Sequence, residues 1–205
     1  MRLRKATLYA IIGLIYIFVS RTLGTLFPEF LVKSTIIIRF HTIISFIASL
    51  ALVFFYYCFY KNYSQKHLES FRLASKSALI GAFLTSLLYL KSSLRVFQVY
   101  NIHTPILNIF IPLISAFLIL YFYYRFYKLD TLDLYYKLRF SILLVIISFI
   151  FTILMRFFVI FNYFYGVKLE WTWNYSQIMP LIFIPIIFFA FFTHLNFFIT
   201  FYKKL

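Results

Sequence analysis

The sequence predicts an all-α polytopic integral membrane protein: six transmembrane helices in three consecutive antiparallel hairpins, with both termini cytoplasmic. Three observations carry this expectation. Charged residues make up 12% of the 205, about half of the roughly 25% usual in soluble domains. Hydrophobic residues reach 64% and fall in six long runs separated by short links. The basic excess, 20 Lys and Arg against 5 Asp and Glu, is clumped between those runs. Such clumping reads as membrane topology rather than as a nucleic-acid partner.

About 20 apolar residues cross the bilayer core as a helix. Stretches at 6–27, 35–60, 77–100, 105–127, 138–161 and 178–201 are each long enough, and together they make 1–205 a single transmembrane domain. The alternating segments of about 10 residues that a barrel needs are absent. The first stretch opens MRLRKATLYAIIGLIYIF, the basic start and apolar run of a signal sequence. No small-x-small cleavage site follows it, so it reads as an uncleaved signal-anchor, interrupted late by Arg21.

Orientation follows from the cations. Thirteen of the 20 lie on one set of ends: Arg2, Arg4, Lys5, Lys61, Lys66, Arg72, Lys76, Arg125, Lys128, Lys137, Arg139, Lys203 and Lys204. That side is expected to face the cytoplasm. Aromatic runs close the even spans, FFYYCFY at 54–60 and YFYYRFY at 121–127, and WTW at 171–173 lies in the last outer loop. All three read as interfacial belts.

The three hairpins, 1–61, 62–128 and 129–204, resemble one another. The even spans end in FYYCFYK, FYYRFYK and TFYKK, each odd span carries a late arginine (Arg21, Arg95, Arg156), and IFIP recurs at 109–112 and 182–185. Two readings fit: duplication of a hairpin, as in many transporters, or convergence in an Ile- and Phe-rich chain.

Seven cations are left on the outer side or within spans, and no acidic residue lies inside any span. Arg21, Arg39, Lys91, Arg95 and Arg156 fall near the outer ends. Together they are expected to form a basic vestibule for a carboxylate, a phosphate or an anionic lipid headgroup. The competing reading is snorkelling to lipid phosphates. His41 and His194 are the imidazoles deeper in the spans, with Asn196 and Asn108 as polar companions. For His194 the readings are a proton relay or an interhelical hydrogen bond. Pro112 and Pro185 fall inside helices, where each is expected to kink the helix and free a carbonyl.

Enzymatic patterns are missing. There is no HExxH, no GxSxG, no glycine-rich phosphate loop and one cysteine, Cys58. No cofactor, metal or catalytic residue is expected. Cys58 reads as a small buried hydrophobe. The function expected is a transporter or solute-capture component for an anionic or amphipathic small molecule, entering a basic outer-facing pocket. Two alternatives stand beside it: a non-catalytic accessory or assembly subunit of a larger membrane complex, and an enzyme acting on a lipid-linked substrate. Expected partners are membrane lipids, anionic headgroups and protein partners in a complex, with no nucleic acid. The host membrane is left open.

Overall fold

A computed structural model describes residues 2–26, 35–63, 69–96, 105–128, 136–165 and 172–205. Within them lie six α-helices: α1 Arg2–Leu26, α2 Thr35–Tyr63, α3 Glu69–Val96, α4 Pro105–Tyr127, α5 Tyr136–Tyr165 and α6 Thr172–Tyr202. Each contains a segment long and apolar enough to cross a membrane: Arg2–Ser20, Ile38–Asn62, Phe71–Val96, Phe110–Tyr127, Tyr136–Phe158 and Ile184–Tyr202. In lipid every backbone polar group needs an internal partner, and a continuous helix supplies one. The protein is an integral, multi-pass membrane protein in contact with lipid. Several helices outrun the apolar stretches; α3 begins at Glu69, well before Ser77, because polar residues at a helix end are simply solvated.

Helix order around the bundle follows chain order. Each helix packs on its sequence neighbours, α6 packs back on α1, and among the described residues no other pair of helices brings Cα atoms within 8 Å. The result is a closed ring of six. Its last seam is aromatic: Phe18 of α1 stacks on Phe191 of α6 at 3.8 Å between centroids, and the Arg4 guanidinium lies 4.9 Å from the Tyr202 ring. Large apolar side chains such as Ile12, Phe40, Ile47, Leu73 and Phe83 are exposed around the outside. That is the surface expected against acyl chains, which are as apolar as the side chains themselves.

One end of the ring is filled by side chains. The core cluster joins the early turns of α1, α3 and α5 to the late turns of α2, α4 and α6. The even helices contribute aromatics at equivalent places: Phe55, Tyr56 and Phe59; Phe122, Tyr123 and Phe126; Phe197, Phe198 and Phe201, all buried. Each trio has the same spacing, so one helical face delivers all three rings. The odd helices offer mainly small or aliphatic residues against them, Ala6 and Ala10, Ala74 and Ala78, Ile142 and Val145. Large against small is what lets facing layers interdigitate. Tyr56 donates to Tyr123 across the ring, in a hydrogen bond of 3.2 Å between their hydroxyls, which pairs two polar groups buried in the core. Cys58 is buried in the same cluster.

This corrects the interfacial reading of the aromatic runs. In 54–60 and 121–127 only part of each run faces outward: Phe54, Tyr57, Tyr121 and Tyr124 are exposed, whereas Phe55, Tyr56, Phe59, Phe122, Tyr123 and Phe126 fill the core. Composition placed these rings at a boundary; helical spacing sends half of each run inward.

Two glycines mark close helix crossings. A Cβ at Gly13 of α1 would stand 2.6 Å from the carbonyl oxygen of Ala48 on α2, with Ala51 Cβ next at 3.3 Å. At Gly81 of α3 the same atom would meet the Ser115 carbonyl oxygen of α4 at 3.0 Å and Leu118 Cβ at 3.2 Å. Ala48 and Ser115 stand equally far before Lys61 and Lys128, so the two crossings occupy matching places along α2 and α4. The obstacle at Gly13 is backbone, which cannot swing away. Gly13→Ala is therefore expected to lower stability by about 1–3 kcal/mol, outweighing the roughly 1 kcal/mol that alanine gains in helix propensity. Thermal unfolding of the purified protein in detergent checks this; an unchanged or raised midpoint would show that α1 and α2 are not held at this distance.

Candidate functional site

Toward the other end, α3, α4 and α5 line an open-mouthed cavity of about 460 Å³ formed by Thr85, Leu88, Tyr89, Ser92, Asn108, Pro112, Ser115, Ala116, Ile119, Phe149, Thr152 and Arg156. The size suits a small organic molecule. Each wall is a helical stripe: 85, 88, 89 and 92 on α3; 108, 112, 115, 116 and 119 on α4; 149, 152 and 156 on α5. Steps of three and four place such residues on one face.

Polar groups on these walls are held in defined orientations. Lys91 Nζ donates to Asn108 Oδ1 at 3.1 Å. Lysine can only donate, so the carbonyl side of the amide is engaged and the Asn108 Nδ2 hydrogens remain as donors. Deeper in the cavity the Ser115 hydroxyl donates to the Gly81 carbonyl at 2.6 Å, and the Thr85 hydroxyl does so at 3.1 Å. The two hydroxyl oxygens lie 2.6 Å apart. The missing Cβ of Gly81 lets α4 come close enough for this triangle. Ser92 and Thr152 donate back to the carbonyls of Leu88 and Ser148, at 3.0 and 2.9 Å. Pro112 lies inside α4; it has no N–H, so the Asn108 carbonyl one turn earlier loses its helical donor. Arg156 stands partly buried in the α5 wall and brings a permanent positive charge.

The five cations expected to form one vestibule are distributed as follows. Arg156 lines the cavity, and Lys91 reaches it through Asn108. Arg95 is exposed, one turn beyond Ser92 and Lys91 on α3, and Arg39 is exposed on α2. The side chain of Arg21, at the end of α1, lies outside the described residues. So do Glu29, Lys33, Lys168, Glu170 and the loops that carry them.

The other polar positions divide between two regions. His41 belongs to a patch among α1, α2 and α3. Its Nε2 is hydrogen-bonded to Ser20, Tyr16 donates to its backbone carbonyl at 3.4 Å, and Ser93 donates to the neighbouring Thr42 carbonyl at 3.0 Å. His194 sits near the aromatic core, with its ring edge-on to Phe149 at 5.0 Å and to Tyr123 at 6.0 Å. Its Nδ1 donates to the Ala190 carbonyl at 2.6 Å, so it bonds back onto its own helix rather than across to another. The interhelical bond comes from Asn196, whose Nδ2 donates to Ser141 Oγ at 2.8 Å. Pro185 is exposed on α6 and lines no part of the cavity.

Thr85, Ser92, Ser115 and Thr152 are cavity residues that the sequence reading did not single out. Their spacing relative to Asn108, Pro112 and Arg156 was the available signal. Hydroxyl residues are common in membrane helices, and nothing local tells a cavity hydroxyl from one that merely bonds its own helix. Among the described residues no cluster of His, Cys, Asp or Glu is placed to hold a metal ion. No protein-family model, no curated protein and no solved structure matches the chain.

Proposed function

We propose that the protein binds an anionic, amphipathic small molecule between α3, α4 and α5 and serves as a transporter or solute-capture component for it. The observation that carries this reading is the cavity itself. It combines one guanidinium, a donor-presenting amide and several hydroxyls with apolar walls from Leu88, Ile119 and Phe149. A cation within a membrane helix is costly and is retained where it serves a pathway or site. The test is equilibrium binding of octanoate and of the uncharged octanamide to the protein in lipid nanodiscs. Saturable binding of octanoate, with octanamide much weaker, is expected; no saturable octanoate binding would remove the reading.

The same reading takes the chain as three antiparallel hairpins, copies of one unit, with both termini and the aromatic end of the ring in the cytoplasm. The matching aromatic trios and the matching glycine crossings support the repeat, and the thirteen clustered cations support the orientation. A reporter active only in the cytoplasm, fused after Leu205, is expected to be active. Activity only from a periplasmic or lumenal reporter at that position would invert the topology.

A further inference from the structure

The donors and acceptors on the cavity walls narrow the ligand class beyond an anion. Thr85 and Ser115 bring two protons to three contacts, with the Gly81 carbonyl and with each other. Both protons are consumed inside that triangle. The Ser92 and Thr152 protons go to carbonyls one turn back on their own helices. A hydroxyl oxygen has one proton and two lone pairs. With its proton engaged, each of these four groups can only accept from a ligand. The Asn108 backbone carbonyl, released by Pro112, adds one more acceptor.

The donors are of different origin. Arg156 has only N–H groups, and Asn108 is turned by Lys91 so that its N–H groups remain. The acceptor triangle lies at residues 85 and 115, and the amide at residue 108. Seven residues of helix rise about 10 Å. The donor amide therefore stands about 10 Å along α4 from the Thr85–Ser115 acceptors, with Ser92 and the Asn108 carbonyl as further acceptors on its side.

We infer that the ligand is an amphipathic anion that also carries a hydrogen-bond donor, a hydroxyl or an ammonium, set back from its anionic group. The anion meets Arg156 and Asn108; the donor meets the oxygens of Thr85, Ser115 and Thr152. A simple fatty acid leaves those acceptors without partners, and buried acceptors stripped of water disfavour such a ligand. This inference rests on the anion-binding reading of the cavity and sharpens its substrate class.

The probes are octanoate, 8-hydroxyoctanoate and 8-aminooctanoate, matched in chain and in carboxylate and long enough when extended to span about 10 Å, measured by equilibrium binding to the full chain in nanodiscs. One or both substituted acids are expected to bind about five-fold or more tightly than octanoate, the effect of one net hydrogen bond. Hydroxy preference identifies a hydroxyl donor and amino preference an ammonium. Thr152→Val keeps the side-chain shape and lies outside the α3–α4 contact. Thr85→Val is its counterpart within that contact. Either substitution is expected to reduce the preference for the substituted acids over octanoate. Equal affinity for all three acids would overturn the inference and leave the anion site standing. Absence of binding by any of them would overturn both. A preference that survives both valine variants would also overturn the assignment, because the donor would then be recognised elsewhere.

Discussion

Phe59→Ala is expected to cost about 3 kcal/mol of stability, the low end of what large-to-small changes cost at buried phenylalanines. Phe59 has no exposed surface. Its ring lies 5.1 Å from Phe122, 5.4 Å from Phe126, 5.6 Å from Phe71 and 5.7 Å from Phe201, centroid to centroid. One side chain of α2 thus ties together α3, α4 and α6. In a membrane the transfer part of the loss is small, because lipid is as apolar as the core. What remains is the void and the lost dispersion and edge-to-face contacts. Thermal or denaturant unfolding in detergent measures the effect. Phe54→Ala is the control: Phe54 is 41% exposed in the same run, and its loss is expected to change stability by no more than about 0.5 kcal/mol. Equal melting of the two variants would mean that the aromatic end is not a packed core.

Arg156→Gln is expected to weaken octanoate binding about ten- to hundred-fold, the weight of one or two charge-assisted hydrogen bonds. Glutamine keeps a polar side chain of moderate length, so the change removes charge more than volume. Arg156→Lys is expected to retain part of the affinity, because it keeps the charge but not the planar fork. Arg95→Ala supplies the contrast. Arg95 is exposed beyond the cavity on α3, and its loss is expected to change affinity less than about three-fold. Wild-type affinity in Arg156→Gln would end the anion-binding reading. A larger loss in Arg95→Ala would move the site to the exposed end of α3.

Much of the fold was legible in the chain because a bilayer imposes one rule on every residue of a span. Apolar runs long enough to cross it have to become helices, and six such runs give six helices. The depth of Arg156 and the position of Pro112 were legible for the same reason, since depth is a matter of counting along a helix. Less legible was which face each residue occupies. The helices are apolar nearly all round, so hydrophobic periodicity does not separate a core face from a lipid face. The runs at 54–60 and 121–127 show the consequence: adjacent aromatics of the same composition divide between the core and the exterior.

The vestibule illustrates the same limit for function. Five cations share similar depth in the sequence, yet among the four whose side chains are described Arg156 lines the cavity and Lys91 acts on it through Asn108, while Arg39 and Arg95 are exposed. Helix identity and position along the helix separate them: Arg39 is on α2, which forms no wall of the cavity, and Arg95 lies one turn beyond Ser92, the last wall residue of α3. Gly13 and Gly81, by contrast, both stand where two helices touch. Few glycines suffice when each sits at a crossing.

By itself the sequence determined the number of spans, their lengths and the clustering of basic residues at one set of ends, because hydropathy and charge act on each residue independently of its neighbours in space. The tertiary structure decided the closed ring, the aromatic end and the company of Arg156 with Asn108, Ser115 and Thr152. Those depend on contacts between residues far apart in the chain, where shape and hydrogen-bond geometry select one rotation of each helix from several that hydropathy leaves equal.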